Sequence, residues 1–83
     1  MAETRVLGIL IEDRLAEAVE VQRLLTEYGC SIKTRLGLHE ADDTKCSRAG
    51  LVLLELCGRT EEWDALESKL AALKGVKVRK MSF

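Results

Sequence analysis

The 83-residue sequence predicts an α+β fold, a four-stranded antiparallel sheet with two helices on one of its faces. Three observations predict it. Two short, densely apolar runs, Thr4 to Ile11 and Gly50 to Cys57, have the length and the β-branched content of strands. Each is followed by a segment whose apolar residues recur at helical spacing. Two further segments, 30–39 and 76–82, alternate apolar and polar residues, as half-exposed strands do.

The elements follow in order. The first run ends at Glu12-Asp13-Arg14, and from Leu15 the period changes: Ala18, Val21, Leu25 and Tyr28 form one stripe, with Val19 and Leu24 beside it. Asp13 is placed to cap that helix and Gly29 to stop it. A second strand, Cys30 to His39, alternates Cys30, Ile32, Thr34, Leu36 and Leu38 against polar neighbours. The polar stretch Glu40 to Arg48 has no apolar period and reads as the loop of a long hairpin. The third strand runs to Cys57, after which Thr60 caps a helix with the core stripe Trp63, Leu66, Leu70 and Leu73, ended by Gly75. Glu61, Glu62 and Asp64 suit the positive end of that helix. Val76 to Ser82 closes the chain as the fourth strand. The order is that of a split βαβ, or ferredoxin-like, plan with strands one and three in the middle, and residues 1–83 read as a single domain.

Strand parity assigns the faces. If the helix side takes Ile32, Thr34 and Leu36 together with Val52, Leu54 and Leu56, cross-strand partners sum to an even number. A sum of 88 then sets Lys33 opposite Glu55 and Arg35 opposite Leu53 on the face away from the helices. Parity also sends Cys30 to the helix side and Cys57 to the open side, which argues against a disulfide between them. The open face carries Leu51, Leu53 and Cys57, together with three residues of the first strand, so its centre is apolar. A patch of that kind predicts contact with a second copy, most simply as a two-fold dimer or a dimer of dimers. The candidate interface is Gly8, Lys33, Arg35, Leu51, Leu53, Glu55 and Cys57. Gly8 belongs to it because a glycine inside a central strand marks the close approach of another backbone or a ligand.

Composition excludes several functions. Residues 1–43 hold five Lys/Arg against nine Asp/Glu and residues 44–83 eight against five, so neither half is a nucleic-acid tail. The cluster Lys74, Lys77, Arg79 and Lys80 alternates with apolar residues in the manner of an edge strand. Strands one and three carry no aromatic residue on which RNA bases could stack. The chain has no Asn for an acylphosphatase-like site, and no Ser/His/Asp or Cys/His set with catalytic spacing, which predicts a protein that is not an enzyme. No apolar run reaches the roughly 20 residues of a membrane span, and the first residues lack a signal peptide's pattern, so a cytoplasmic location is expected. Cys30, Cys46 and Cys57 are an odd number and read as reduced thiols. Closely spaced pairs for an iron-sulfur cluster or a copper site are absent, and no cofactor is expected.

Two sets of residues stand out for binding. Ile11, Glu12, Asp13 and Arg14 occupy the first strand-to-helix turn, where backbone amides can meet an anionic ligand or where the charges simply cap the helix. His39, with Cys46 or Cys57, is the alternative, a metal-responsive set for nickel, zinc or iron, although the close pair usual in structural zinc sites is missing.

The segments Gly8-Ile9-Leu10-Ile11-Glu12-Asp13-Arg14, Leu24-Leu25-Thr26-Glu27-Tyr28-Gly29, Arg35-Leu36-Gly37 and Gly75-Val76-Lys77-Val78 resemble the iron-only hydrogenase system regulators, small ACT-like proteins. The resemblance runs from Thr4 to about Met81. It implies one ACT-like domain that forms oligomers through its sheet. By position it places an interface ligand near Ile11, Glu12, Asp13 and Arg14, and it implies a hydrogenase-system protein as partner. The glycine-rich turn of amino-acid-binding ACT domains is missing here. The histidines of nickel-responsive repressors are reduced to His39. No DNA-binding segment precedes the first strand, so direct contact with nucleic acid is not expected. The expected function is a stand-alone regulatory domain with a small-molecule effector, and the alternatives are the metal-responsive protein and a ligand-free interaction module.

Overall fold

The protein's structure, a computed structural model, describes the backbone of residues 3–12, 14–41 and 46–83, and of these the side chains outside 14–18 and 38–49. The elements are β1 (Arg5–Ile11), α1 (Arg14–Glu27), β2 (Ile32–Ala41), β3 (Cys46–Leu56), α2 (Thr60–Ala71) and β4 (Val76–Ser82), with a short 3₁₀ turn, Gly29–Ser31, ahead of β2. The sheet order is β2-β3-β1-β4, antiparallel throughout, which puts the two apolar runs in the middle. The fold is ferredoxin-like.

Alternation decides what is buried. Leu7, Ile9 and Ile11 of β1, Val52, Leu54 and Leu56 of β3, and Val76 of β4 face the helices and are buried. They meet Val21, Leu24, Leu25 and Tyr28 of α1 and Trp63, Leu66 and Leu70 of α2. Val19, expected beside the stripe, is 73% exposed, because one turn of helix cannot turn both Val19 and Val21 onto the sheet. Asp13, expected to cap α1, and the side chain of Ala18 lie outside the described residues.

Helix ends differ from expectation. Gly29 does not stop α1 in a left-handed conformation: the helix ends at Glu27, Tyr28 sits at φ −100°, ψ 22°, and the Ser31 N–H donates to the Tyr28 carbonyl at 2.9 Å. The 3₁₀ turn so formed takes up Cys30, which is exposed and stands outside the strand to which parity had assigned it. Thr60 is the first residue of α2 rather than its cap. Arg59 occupies the cap without a side-chain bond, and the entry is held by the Trp63 indole, whose N–H donates to the Cys57 carbonyl at 2.7 Å. Gly75 does close the following turn, at φ +79°.

The larger correction concerns register. Ile32 pairs with Leu56 as the sum of 88 requires, but a bulge follows, and Thr34 faces Glu55, Arg35 faces Leu54 and Leu36 faces Leu53. Lys33 is the extra residue. The shift turns Arg35 to the helix side, where its guanidinium donates to the side-chain oxygen of Gln22, and turns Leu36 to the open side. The cause is the narrow helix layer at this edge. A Cβ built on Gly37, on the helix side, would meet nothing within 4 Å, so Leu36 in the unshifted register would have had no core to enter. The expected loop is also mostly strand. Glu40 and Ala41 continue β2 and Cys46 to Ala49 continue β3, with Ala41 opposite Cys46, so a two-stranded arm runs past the end of β1, whose last partner is Gly50.

Leu36→Gln is expected to change stability by less than about 0.5 kcal/mol in urea unfolding at low protein concentration. A core leucine would lose about 2–5 kcal/mol, as Leu66→Ala should. A large loss for Leu36→Gln would restore the unshifted register.

Candidate functional site: the open face of the sheet

Three rows of side chains cross the face that the helices leave uncovered. Paired positions share a face. One row is therefore Met81, Val6, Glu55 and Thr34, the next Arg79, Gly8, Leu53 and Leu36, and the third begins Lys77, Leu10 and Leu51. Leu36 is 50% exposed, Leu10 38% and Met81 57%, values that only an apolar surface open to water produces. Of the expected interface residues, Gly8, Leu51, Leu53 and Glu55 lie on this face and Cys57 at its end. Lys33 reaches it from the bulge, its Nζ 3.8 Å from Glu55 Oε2, while Thr34 Oγ1 donates to Glu55 Oε1 at 3.0 Å. Arg35 does not belong to it.

Gly8 forms the floor. A depression of about 260 Å³ opens beside it between Leu10, Leu51, Lys77 and Arg79. A second, of about 140 Å³, lies between Val6, Leu53, Lys80 and Met81, and both share Gly8 and Arg79. A Cβ at Gly8 would meet Leu53 Cδ2 at 3.7 Å and the Arg79 carbonyl at 3.9 Å, ordinary contacts, and Gly8 does not have positive φ. Nothing within the described chain requires a glycine there. Its absent side chain leaves room for something that approaches from outside.

The first strand-to-helix turn borders this depression. Ile11 is 3% exposed and belongs to the core, so its side chain is not available to a ligand. The Glu12 N–H donates to the Gly75 carbonyl at 2.8 Å and its carboxylate meets Lys77 Nζ at 3.4 Å, which ties the turn to the rim of the face. Asp13 and the Arg14 side chain lie outside the described residues. Arg79 donates to the Val78 carbonyl at 2.9 Å and, among the described residues, meets no carboxylate.

At the other end of the sheet a polar cleft of about 560 Å³ is lined by Glu3, Lys33, Glu55, Cys57, Thr60 and the edge of Trp63. Beside it the Glu61 carboxyl is held below its ordinary range by its own backbone N–H and by Arg59. The backbone register separates His39 from Cys57. His39 pairs with Gly50, and Cys57 stands seven residues farther along the chain, just past the end of β3 and about 23 Å away. Cys46 lies on the arm, and its side chain and that of His39 are outside the described residues. Among the described residues no group of three or more His, Cys, Asp or Glu gathers as a metal site.

Sequence reasoning found the open face but missed Leu36, which the bulge delivers, and Lys77 and Arg79, which had been read only as edge charges. The alternation of β4 against Val76 and Val78 was signal enough for those two.

The chain matches the TM1266-like family, described as iron-only hydrogenase system regulators, over residues 3–80. It belongs to that family. No curated protein matches it. Among solved structures it is similar to the uncharacterized protein TM1266 from Thermotoga maritima, at 24% identity over 99% of each chain, with TM-score 0.81. It is also similar to CPII, a nitrogen regulatory PII-like protein from Thiomonas intermedia K12 bound to ADP, AMP and bicarbonate, at 16% identity over 99% of this chain and 93% of that one, TM-score 0.61. A dimeric ferredoxin-like protein from an uncultured marine organism follows, at 8% identity over 98% and 92%, TM-score 0.50. This regulator family therefore shares its fold with a small regulatory protein and with a dimeric one. No described helix of the chain is long and apolar enough to cross a membrane.

Gly8→Ala is expected to hold or raise the stability of the fold by about 0–1 kcal/mol, because the added methyl fits and the unfolded chain loses freedom. Thermal unfolding checks it. A clear loss would mean that the glycine serves the strand itself.

Proposed function

We propose that this regulator-family chain is a non-catalytic domain that works as a homo-oligomer, two copies packing open face to open face. A small effector is held at their junction near Gly8, Lys77 and the Glu12-Asp13-Arg14 turn. Its target is a protein of the iron-only hydrogenase system that the family's description names.

The observation that carries this reading is the area and character of the open face. Four strands about 4.8 Å apart, crossed by three rows about 6.7 Å apart, present roughly 400 Å². Two copies then bury about 800 Å², the size of a weak, concentration-dependent interface. Among the described residues the face is apolar at its centre and charged at its β4 rim and at the Glu55–Lys33 pair, the anatomy of an interface core with a polar rim. The arm of β2 and β3 supports the same reading, since a two-stranded hairpin beyond the last strand of its sheet gains little stability by itself. The likeness to a PII-like protein with bound nucleotides and bicarbonate, and to a dimeric protein of the same fold, supports a small assembling regulator.

Sedimentation velocity across the micromolar range tests it. The wild type should run at twice 9.2 kDa or more, and Leu53→Asp at the monomer mass with its far-ultraviolet circular dichroism unchanged. A wild type that stays monomeric would overturn the oligomer and the interface effector together. Native mass spectrometry separates the two claims further: an oligomer that retains an organic mass supports the effector, and a bare one reduces the proposal to a ligand-free interaction module.

A further inference from the structure

The geometry points to a thiol-disulfide site that joins Cys30 to Cys57. Parity along the strands had placed these two residues on opposite faces. The 3₁₀ turn removes Cys30 from its strand and carries it to the end of β3. There the Cys57 thiol donates to the Cys30 carbonyl, with the sulfur 3.7 Å from the oxygen, which by standard bond lengths puts it within about 6 Å of the Cys30 Cα.

The two sides of the pair differ in exposure. The Cys57 backbone is held at both of its polar groups: its N–H donates to the Ser31 carbonyl at 2.8 Å, and its carbonyl accepts from the Trp63 indole at 2.7 Å. Gly58, at φ +82°, turns the chain away directly behind it, with a built Cβ 4.0 Å from the Cys30 carbonyl. Cys30 sits in an exposed turn, and both thiols are free. In a disulfide each sulfur stands about 4 Å from its partner's Cα, so rotation of the Cys30 side chain and a shift of its turn by about 1–2 Å bring the sulfurs together. The less exposed thiol presents a target, and the exposed one has room to turn toward it.

The oxidant is a hydroperoxide, with hydrogen peroxide as the probe. One thiolate attacks a peroxide oxygen, an S–O bond forms as the O–O bond breaks, and the departing hydroxide takes a proton to become water. The second thiol attacks the sulfenic sulfur, the S–S bond forms, and the S–O bond breaks with release of a second water. Two thiols and one peroxide give one disulfide and two waters. The product staples the turn ahead of the Lys33 bulge to the joint between β3 and α2, so it fixes the register that places Leu36 on the open face.

The test uses the full chain, oxidised with hydrogen peroxide and digested with trypsin without reductant. The peptides 24–33 and 49–59 carry Cys30 and Cys57, and 46–48 carries Cys46. The expected product is a cross-link between the first two, a mass loss of about 2 Da in the intact monomer, and full reversal by dithiothreitol. Thermal unfolding of the oxidised form should move upward, and Cys46→Ser should change none of this. Cys30→Ser and Cys57→Ser should each abolish the cross-link, and their circular dichroism reports that the chain still folds. Stable sulfinic acid on single cysteines, a cross-link through Cys46, or disulfides only between chains would overturn the assignment.

Discussion

Two helices can cover only one face of a four-stranded sheet, and in this protein the central pair, β1 and β3, is apolar on both. That mismatch governs the rest. On one side Leu7, Ile9, Ile11, Val52, Leu54 and Leu56 find α1 and α2 and leave water almost completely. On the other, Leu10, Leu51, Leu53 and Val6 find only one another, Leu36, Met81 and the stems of the β4 lysines and Arg79 among the described residues. At about 25 cal/mol per Å² of apolar surface, covering such a face contributes on a scale comparable with the whole stability of a small domain. A sheet of this kind is therefore half of a core, and in the proposed oligomer a second copy supplies the other half.

The helix layer is aligned on the sheet by one polar device at its edge. Arg5, at the end of the buried row of β1, is 8% exposed; it donates to Asp64 at 2.7 Å, reaches Glu67 at 3.5 Å and Glu3 at 3.4 Å, and lies 5.3 Å from the centre of the Trp63 ring. A buried cation is costly unless it is paired, so this arrangement is strict about where α2 sits. Trp63 completes it from the other side, because its indole N–H reaches back to Cys57. The guanidinium, the indole and the Cys57 carbonyl thus couple the start of β1, the start of α2 and the end of β3. The same coupling is what holds Cys57 beside the exposed turn of Cys30.

Periodicity made most of the fold legible. The 3.6-residue stripe of Trp63, Leu66 and Leu70 and the period-two row of Leu7, Ile9 and Ile11 are strong because burial enforces them at every step, and the central positions of β1 and β3 follow from runs that are apolar throughout. Features set by a single residue were not legible. Nothing in Ile32-Lys33-Thr34 distinguishes a bulged lysine from a paired one, since a lysine on an edge strand is solvated either way, yet that one residue reverses the facing of everything after it. The polar run from Glu40 lacked apolar alternation because an arm beyond the sheet has no helix layer to face, so strand pairing there left no hydrophobic trace. Of the candidate site, Gly8, Leu51, Leu53 and Glu55 were visible by parity, whereas Leu36 and the withdrawal of Arg35 required the register itself.

The bulge also explains why the open face is larger than the fold of one chain needs. Without it, Leu36 would project toward a helix layer that has already ended at Gly37, and Arg35 would stand beside Leu53. With it, Arg35 finds Gln22 and the face gains a leucine at the cost of leaving that leucine half in water. For an isolated chain the exchange brings little, because a half-exposed leucine contributes only part of the roughly 1.5–3 kcal/mol that full burial yields. It becomes favourable once a second surface covers Leu36 together with Leu53 and the floor at Gly8. The register of β2 is thus better suited to the proposed oligomer than to the single chain, and the residues that hold it, Lys33 at the bulge with Cys30 and Cys57 at its flank, are where the proposed self-association and the proposed thiol chemistry meet.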